Sequence, residues 1–199
     1  MLDLIGSLES LLVSFGYFAL FGMVFAESGL FFGFFLPGDS LLFAAGLLAS
    51  KEIFQIEWVL IGTAVCAILG DQVGYWTGSK FGKRFFNKPK SLFRDPGHIK
   101  QAEEFYAKHG KKTIVLARFV PAVRTFAPIV AGAVHMDYKT FIVYNILGGV
   151  LWTLVFVLAG FFLGSIIPNS GELMTGIILA IIILSLVPLG MEYLKKRKK

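Results

Sequence analysis

Four stretches of this sequence are long and apolar enough to cross the hydrocarbon layer of a membrane, which takes about 20 residues of helix. Ser10 to Phe35 is interrupted only by Glu27, and Ile56 to Phe81 only by Glu57, Asp71 and Lys80. Phe141 to Ile167 carries no charge, and Leu173 to Leu194 carries only Glu192 before a basic tail, Lys195 to Lys199. The chain is 56% hydrophobic and 16% charged, against about 45–50% and about 25% for soluble domains. In water a fold of this size would expose much of that apolar surface. The same content excludes disorder, and the single cysteine, Cys66, excludes a disulfide scaffold. The sequence therefore reads as an all-α polytopic membrane protein. No basic segment precedes the first apolar stretch, where Asp3 and Glu9 lie instead. That stretch is expected to be retained rather than cleaved as a signal peptide.

Two further apolar stretches fail as spans. Residues 31–50 hold Pro37-Gly38-Asp39, and residues 113–136 hold Arg118, Pro121, Arg124 and Pro128. Proline removes a helix donor and clashes with the preceding turn, so each stretch is expected to break into two half-helices that reach only mid-membrane. Such broken backbone is tolerated at depth only where protein or a water-filled cavity surrounds it. Each stretch reads as a re-entrant helical hairpin.

Charge sets the orientation. Of the 19 Lys and Arg, ten lie between Lys80 and Lys112, five form the tail, and one is Lys139. Lys51 alone falls in a loop on the other side, and the positive-inside rule then puts the Lys80–Lys112 linker and the C-terminus in the cytoplasm. The net charge of +6 is thereby read as topology and not as a nucleic-acid footprint. The two hairpins enter from opposite faces. Tyr75-x-x-Gly78-x-x-x-Gly82 recurs 82 residues later as Val157-x-x-Gly160-x-x-x-Gly164. Glycine spacing is a weak signal alone, but with opposed hairpins it suggests an inverted repeat, the plan by which many transporters place a site at the midplane. The expected organisation is one membrane domain, 1–199. Its first half is 10–82 with the hairpin 31–50, followed by a basic linker 83–112 containing an amphipathic stretch, Ile99 to His109. The second half, 113–167 with the hairpin 113–136, is followed by a C-terminal transmembrane helix, 173–194, and the tail 195–199.

Five ionisable residues sit where hydrocarbon makes them costly, by roughly 2.5–3.5 kcal/mol each on insertion scales: Glu27, Asp39, Asp71, Arg118 and Arg124. Glu27 is either the partner of a buried arginine or a carboxylate that handles protons in a low-dielectric cavity. Asp39, after Pro37-Gly38, is expected to cap the half-helix Leu41–Leu48 and is compatible with proton handling as well. Asp71 could face Arg118 or Arg124, as a structural salt bridge or as a substrate contact. The two arginines flank Pro121 and stay charged at any working pH. Their forked donors suit a phosphate, and a helix N-terminus expected near Thr125 would add amide donors and positive potential. The alternative is that both merely neutralise Glu27 and Asp39. His135 with Asp137 is a weak metal or phosphatase signal, and no Ser–His–acid order or metal-ligand cluster appears. Trp58 and Trp76 suit interfacial belts.

These residues carry a resemblance. Phe35-Leu36-Pro37-Gly38-Asp39-Ser40-Leu41-Leu42, with Glu27 ahead of it, resembles the bacterial DedA family, which shares the VTT, or SNARE-associated, domain with eukaryotic lipid scramblases. The second motif runs from Ala117 through Arg118, Pro121, Arg124 and Thr125 to Pro128, followed by Ala131-Gly132. Gly70-Asp71 with Tyr75, and Tyr144-Asn145 with Gly148 and Trp152, fit as well. His109 to Ile114 and His135-Met136 point to the namesake branch. The likeness covers roughly Phe15 to Gly164, with no departure at the charged positions.

The resemblance implies a multi-pass protein of the bacterial cytoplasmic membrane linked to proton-motive-force-dependent transport and to recycling of undecaprenyl phosphate. It maps the family's essential acids onto Glu27 and Asp39 and its essential arginines onto Arg118 and Arg124. The reading that follows is a flippase, not an enzyme, whose partners are membrane lipids, a polyprenyl phosphate and protons. Arg118 and Arg124 would hold the phosphate and Glu27 and Asp39 would couple protons. Asp71, Pro37, Gly38, Pro121, Thr125, Pro128, Tyr75 and Asn145 would support them. No metal or cofactor enters this reading, and a homo-oligomer is left open. Its rivals are an energy-independent phospholipid scramblase and a small-ion or drug/proton antiporter, with a membrane phosphatase disfavoured for want of a nucleophile.

Overall fold

The computed structural model describes residues 2–30, 36–86 and 112–166, and among them every regular element is a helix. In chain order these are α1 (Leu2–Gly29), α2 (Gly38–Ala49), α3 (Ile56–Phe86), α4 (Lys112–Ala117), α5 (Pro121–Ala133) and α6 (Tyr138–Ile166). Two described helices are long and apolar enough to cross a membrane, Ile56–Phe81 and Tyr138–Ile166, and Val13–Gly29 is a shorter apolar helix. Residues 31–35, most of the basic linker with Ile99–His109, the expected span 173–194 and the tail 195–199 lie outside the described residues.

The chain breaks at proline, though not at every proline. Val120, held extended (φ −116°, ψ 105°) by the ring that follows it, caps α5, and Pro121 takes the first helical position, where a missing N–H costs nothing. Pro128 lies inside α5, so the stretch 113–136 breaks once. Thr125 is therefore in the body of α5 and not at a helix N-terminus, which corrects the sequence expectation: proline preorganises the earlier start. Asp39 is corrected likewise. Pro37 occupies the cap of α2 with no side-chain cap bond, and Asp39 falls in the first turn, where its charge still favours the positive end of the helix dipole.

The helices α2 and α5 close alike. After α2 the Ile53 N–H reaches the Leu48 carbonyl (3.2 Å), and after α5 the Met136 N–H reaches that of Ala131 (2.9 Å). This closing turn needs a left-handed residue. Glu52 (φ 62°) and His135 (φ 54°) supply it. Asp137 then caps α6, its Oδ2 accepting the Thr140 N–H at 2.8 Å. Local backbone thus accounts for the His135–Asp137 pair.

The described residues form two compact units, 2–23, 36–63 and 153–166 in one, and 24–30, 64–86 and 112–152 in the other. In the first, α2 packs on the C-terminal part of α6 at glycines. A Cβ on Gly46 would collide with the Val157 carbonyl, and one on Gly160 with the Phe43 carbonyl. Leu42, Leu47 and Val157 are fully buried there. The loop before α3 is pinned by the Gln55 N–H donating to the Tyr17 hydroxyl (2.6 Å) and by Phe54 against the Tyr17 ring (4.6 Å).

In the second unit α5 crosses α3 in the same manner. A Cβ on Gly132 would collide with the Tyr75 carbonyl, and one on Gly78 with the Ile129 carbonyl. Ile114, Ala131 and Phe141 form the apolar centre, with Tyr75, Met136 and Tyr144 packed on it. Tyr75 stacks on Phe141 (4.4 Å between centroids) and donates its hydroxyl to the Met136 carbonyl at 2.5 Å. The hairpin α4–α5 is held against α3 and α6 by this cluster. α1 and α3 touch backbone to backbone at Gly29 and Gly70, where an added Cβ on Gly29 would come within 2.8 Å of the Gly70 carbonyl.

Candidate functional site

Among the described residues, all the ionisable side chains that are buried lie in the second unit: Glu27 from α1, Asp71 from α3, Arg118 from the turn after α4 and Arg124 from α5 are each 8% exposed or less. They are sorted into two ion pairs.

Arg118 pairs with Asp71. Its Nη2 also donates to Asn145 Oδ1 on α6 (2.6 Å) and reaches the Ala67 carbonyl at 3.5 Å. Asn145 completes the knot by donating its Nδ2 to the Ile68 carbonyl at 3.1 Å. On α3, Asp71 follows Ala67 and Ile68 by about one turn, so one helix face presents the three acceptors together. The guanidinium stem lies against Gly148, where an added Cβ would come within 3.1 Å of Arg118 Cδ. Arg118 Nε is buried without a hydrogen-bond partner among the described residues.

Arg124 pairs with Glu27. Thr125 Oγ1 donates to the Glu27 carbonyl at 3.4 Å, tying α5 to the end of α1 a second time. The Arg124 guanidinium lies over the Trp152 ring, 5.0 Å from its centroid. Glu27 Oε2 is buried with no hydrogen-bond partner among the described residues. The carboxylate is thus half engaged: one oxygen faces the arginine and the other has no donor. An unmet buried acceptor of this kind costs about 1–3 kcal/mol, more when charged.

The pairs balance, two positive charges against two negative, as burial in a low dielectric demands. Removing one member of such a pair typically costs about 3–5 kcal/mol, because the survivor is left uncompensated.

A family model for the VTT domain matches residues 36–162. Protein DedA of Escherichia coli strain K12 is 44% identical over 184 residues, 92% of this chain and 84% of that protein. This chain belongs to the DedA family. An uncharacterized membrane protein of Mycobacterium leprae is 44% identical over 83% of this chain and 74% of its own length. The inner membrane protein YqjA of Escherichia coli is 35% identical over 74% of this chain and 67% of its own. These relatives set the chain with the namesake branch of DedA-family membrane proteins. No solved structure matches the chain.

Of the residues singled out in the sequence, Glu27, Asp71, Arg118, Arg124, Thr125 and Asn145 come together in these two knots. Tyr75, Pro121 and Pro128 shape the helices that carry them. Asp39, with Pro37 and Gly38, belongs to the other unit, half-buried at the start of α2. The acid that completes the second ion pair is Asp71. Two contributions went unread in the sequence. Trp152 fits the family pattern, but its ring beneath a guanidinium leaves no spacing signal. Gly29 and Gly70, two short residues on separate helices, gain meaning only once the helices cross.

Proposed function

We propose that this DedA-family protein is a secondary transporter that carries a polyprenyl phosphate, undecaprenyl phosphate foremost, from the outer to the cytoplasmic leaflet of the bacterial inner membrane, driven by the proton motive force. The reading takes the chain as multi-pass with a cytoplasmic C-terminus, about four spans, and α2 and α4–α5 as parts of two re-entrant hairpins of an inverted repeat. It is a carrier and not an enzyme, with no metal or cofactor in its chemistry.

One observation carries the reading: two buried arginines, each held by a buried acid, within a single unit. A phosphate offers guanidinium groups what a carboxylate offers, with more charge and more acceptor oxygens. Phosphate and carboxylate therefore compete for the same donors. Protonating Glu27 neutralises its claim on Arg124 and makes room for the anion, and deprotonation expels it. Binding of lipid phosphate and uptake of protons become linked, so that each favours the other. Asp39, an acid that the family resemblance marks, serves as the second proton carrier. The apolar faces of the hairpins leave the polyprenyl tail in lipid.

Arginine is required because lysine is a point charge without the fork. In proteoliposomes Arg118→Lys/Arg124→Lys should abolish transfer of undecaprenyl phosphate between leaflets. Normal transfer by that variant sinks the proposal. Equilibration of a fluorescent phospholipid without any gradient identifies a scramblase instead, and proton flux driven by a cation or drug and indifferent to added polyprenyl phosphate identifies an antiporter.

A further inference from the structure

An arginine that exchanges one anionic partner for another must be held by something that does not exchange. A guanidinium is planar. Its N–H donors point outward in the plane, and its two faces carry none. Glu27 takes Arg124 through an N–H at the edge, and the Trp152 ring lies against the same cation, 5.0 Å from ring centroid to guanidinium carbon. The first hold is a hydrogen bond to one nitrogen, and the second is the attraction of a ring for the whole delocalised cation. The indole is 1% exposed, so the attraction of its ring for a cation is undiluted by water, and tryptophan is the strongest such partner. It is uncharged and does not titrate. Glu27 is the opposite: it is charged, and its Oε2 has no hydrogen-bond partner among the described residues.

We propose that Trp152 is a positioning residue, whose ring keeps the Arg124 guanidinium in place while Glu27 lets go and phosphate takes over. This rests on the carrier reading above and names the part of the site that makes the exchange reversible. Removing the ring takes away a hold on Arg124 that protonation of Glu27 leaves intact, so the receptor would be less ordered just when the site opens. Besides Glu27, the charged groups buried in its unit among the described residues are Arg124 on α5, its partner, and Asp71 on α3, which is engaged by Arg118.

The test uses the full chain in nanodiscs with farnesyl phosphate as probe. Trp152→Leu should bind it about tenfold more weakly than the native protein, with the loss greatest at acid pH, and Trp152→Phe should recover binding to within about threefold. Equal binding and an unchanged pH profile in Trp152→Leu overturn the proposal. A second arm is independent of any lipid. In a Trp58→Phe/Trp76→Phe background the emission reports Trp152 alone. Acidification should shift that emission, and Glu27→Gln should abolish the pH response. Emission that ignores pH, or a response that survives Glu27→Gln, overturns the proposal. If the native protein binds no farnesyl phosphate at any pH, the carrier reading fails, and the emission titration decides the positioning role by itself. It decides alone also if Trp152→Leu does not fold.

Discussion

Among the described residues, two helix crossings are built on one geometry and filled with opposite chemistry. Where α2 meets α6, Gly46 lies on the Val157 carbonyl and Gly160 on that of Phe43; where α5 meets α3, Gly132 lies on the Tyr75 carbonyl and Gly78 on that of Ile129. In each case a glycine and the residue three before it on one helix answer a glycine and the residue three before it on the other. The first crossing is lined by Leu42, Leu47 and Val157, all fully buried. The second lies in the unit that buries Glu27, Asp71, Arg118 and Arg124. Backbone contact through small residues suffices to seat a short helix on a long one, as the apolar crossing shows. The ion pairs are therefore not what joins α5 to α3, and their cost calls for another reason. The exchange with a charged ligand proposed above would supply one.

The largest effect should come from unbalancing a pair. Asp71→Ala strands Arg118 and should cost about 3–5 kcal/mol of stability, seen as a large fall in the thermal unfolding midpoint in detergent. The double variant Asp71→Leu/Arg118→Met should recover most of that loss, since apolar replacements of a buried pair are often neutral, while transport stays abolished. Recovery of both would make the pair a mere fold element. Next come the glycines. Gly46→Ala and Gly132→Ala force backbones apart and should each cost about 1–3 kcal/mol, by similar amounts. A much larger cost at Gly132 would mean that the charges depend on that crossing after all. Tyr75→Phe deletes one hydrogen bond, to Met136, and should cost about 1 kcal/mol. The other crossing has no such bond to lose, because Val157 stands where Tyr75 does. Smallest is Gly22→Ala in α1, where an added Cβ meets nothing within 4 Å. It should be neutral or gain up to about 1 kcal/mol from helix propensity, and a loss there would place unseen packing on that face.

The buried charges were legible in the sequence because hydrocarbon makes an ionised residue expensive, so its presence in an apolar run is itself a signal. The break at Pro121 was legible for a covalent reason. Which acid meets which arginine was not. Asp39 and Asp71 are equally conspicuous in the chain, and only the fold brings Arg118 and Asn145 against the face of α3 that carries Ala67, Ile68 and Asp71. The glycine repeat was half visible. Tyr75-x-x-Gly78 and Val157-x-x-Gly160 align at one offset, but their partners Ile129-x-x-Gly132 and Phe43-x-x-Gly46 align at another. They also follow the first motif and precede the second, which hides the correspondence from a linear reading. Trp152 was invisible as a functional group because an indole in an apolar helix looks the same whether it faces lipid or a cation. His135 and Asp137 show the converse: a chemically suggestive pair that backbone closure and capping explain.

The most direct measurement is proton movement on adding lipid phosphate. Vesicles holding the reconstituted protein and a pH-sensitive dye are given undecaprenyl phosphate in the outer leaflet. The account predicts that protons follow the lipid across, that an imposed gradient speeds the transfer, and that Glu27→Gln uncouples the two while the protein remains folded. Transfer that proceeds at the same rate with no proton movement, or proton movement untouched by Glu27→Gln, would contradict it.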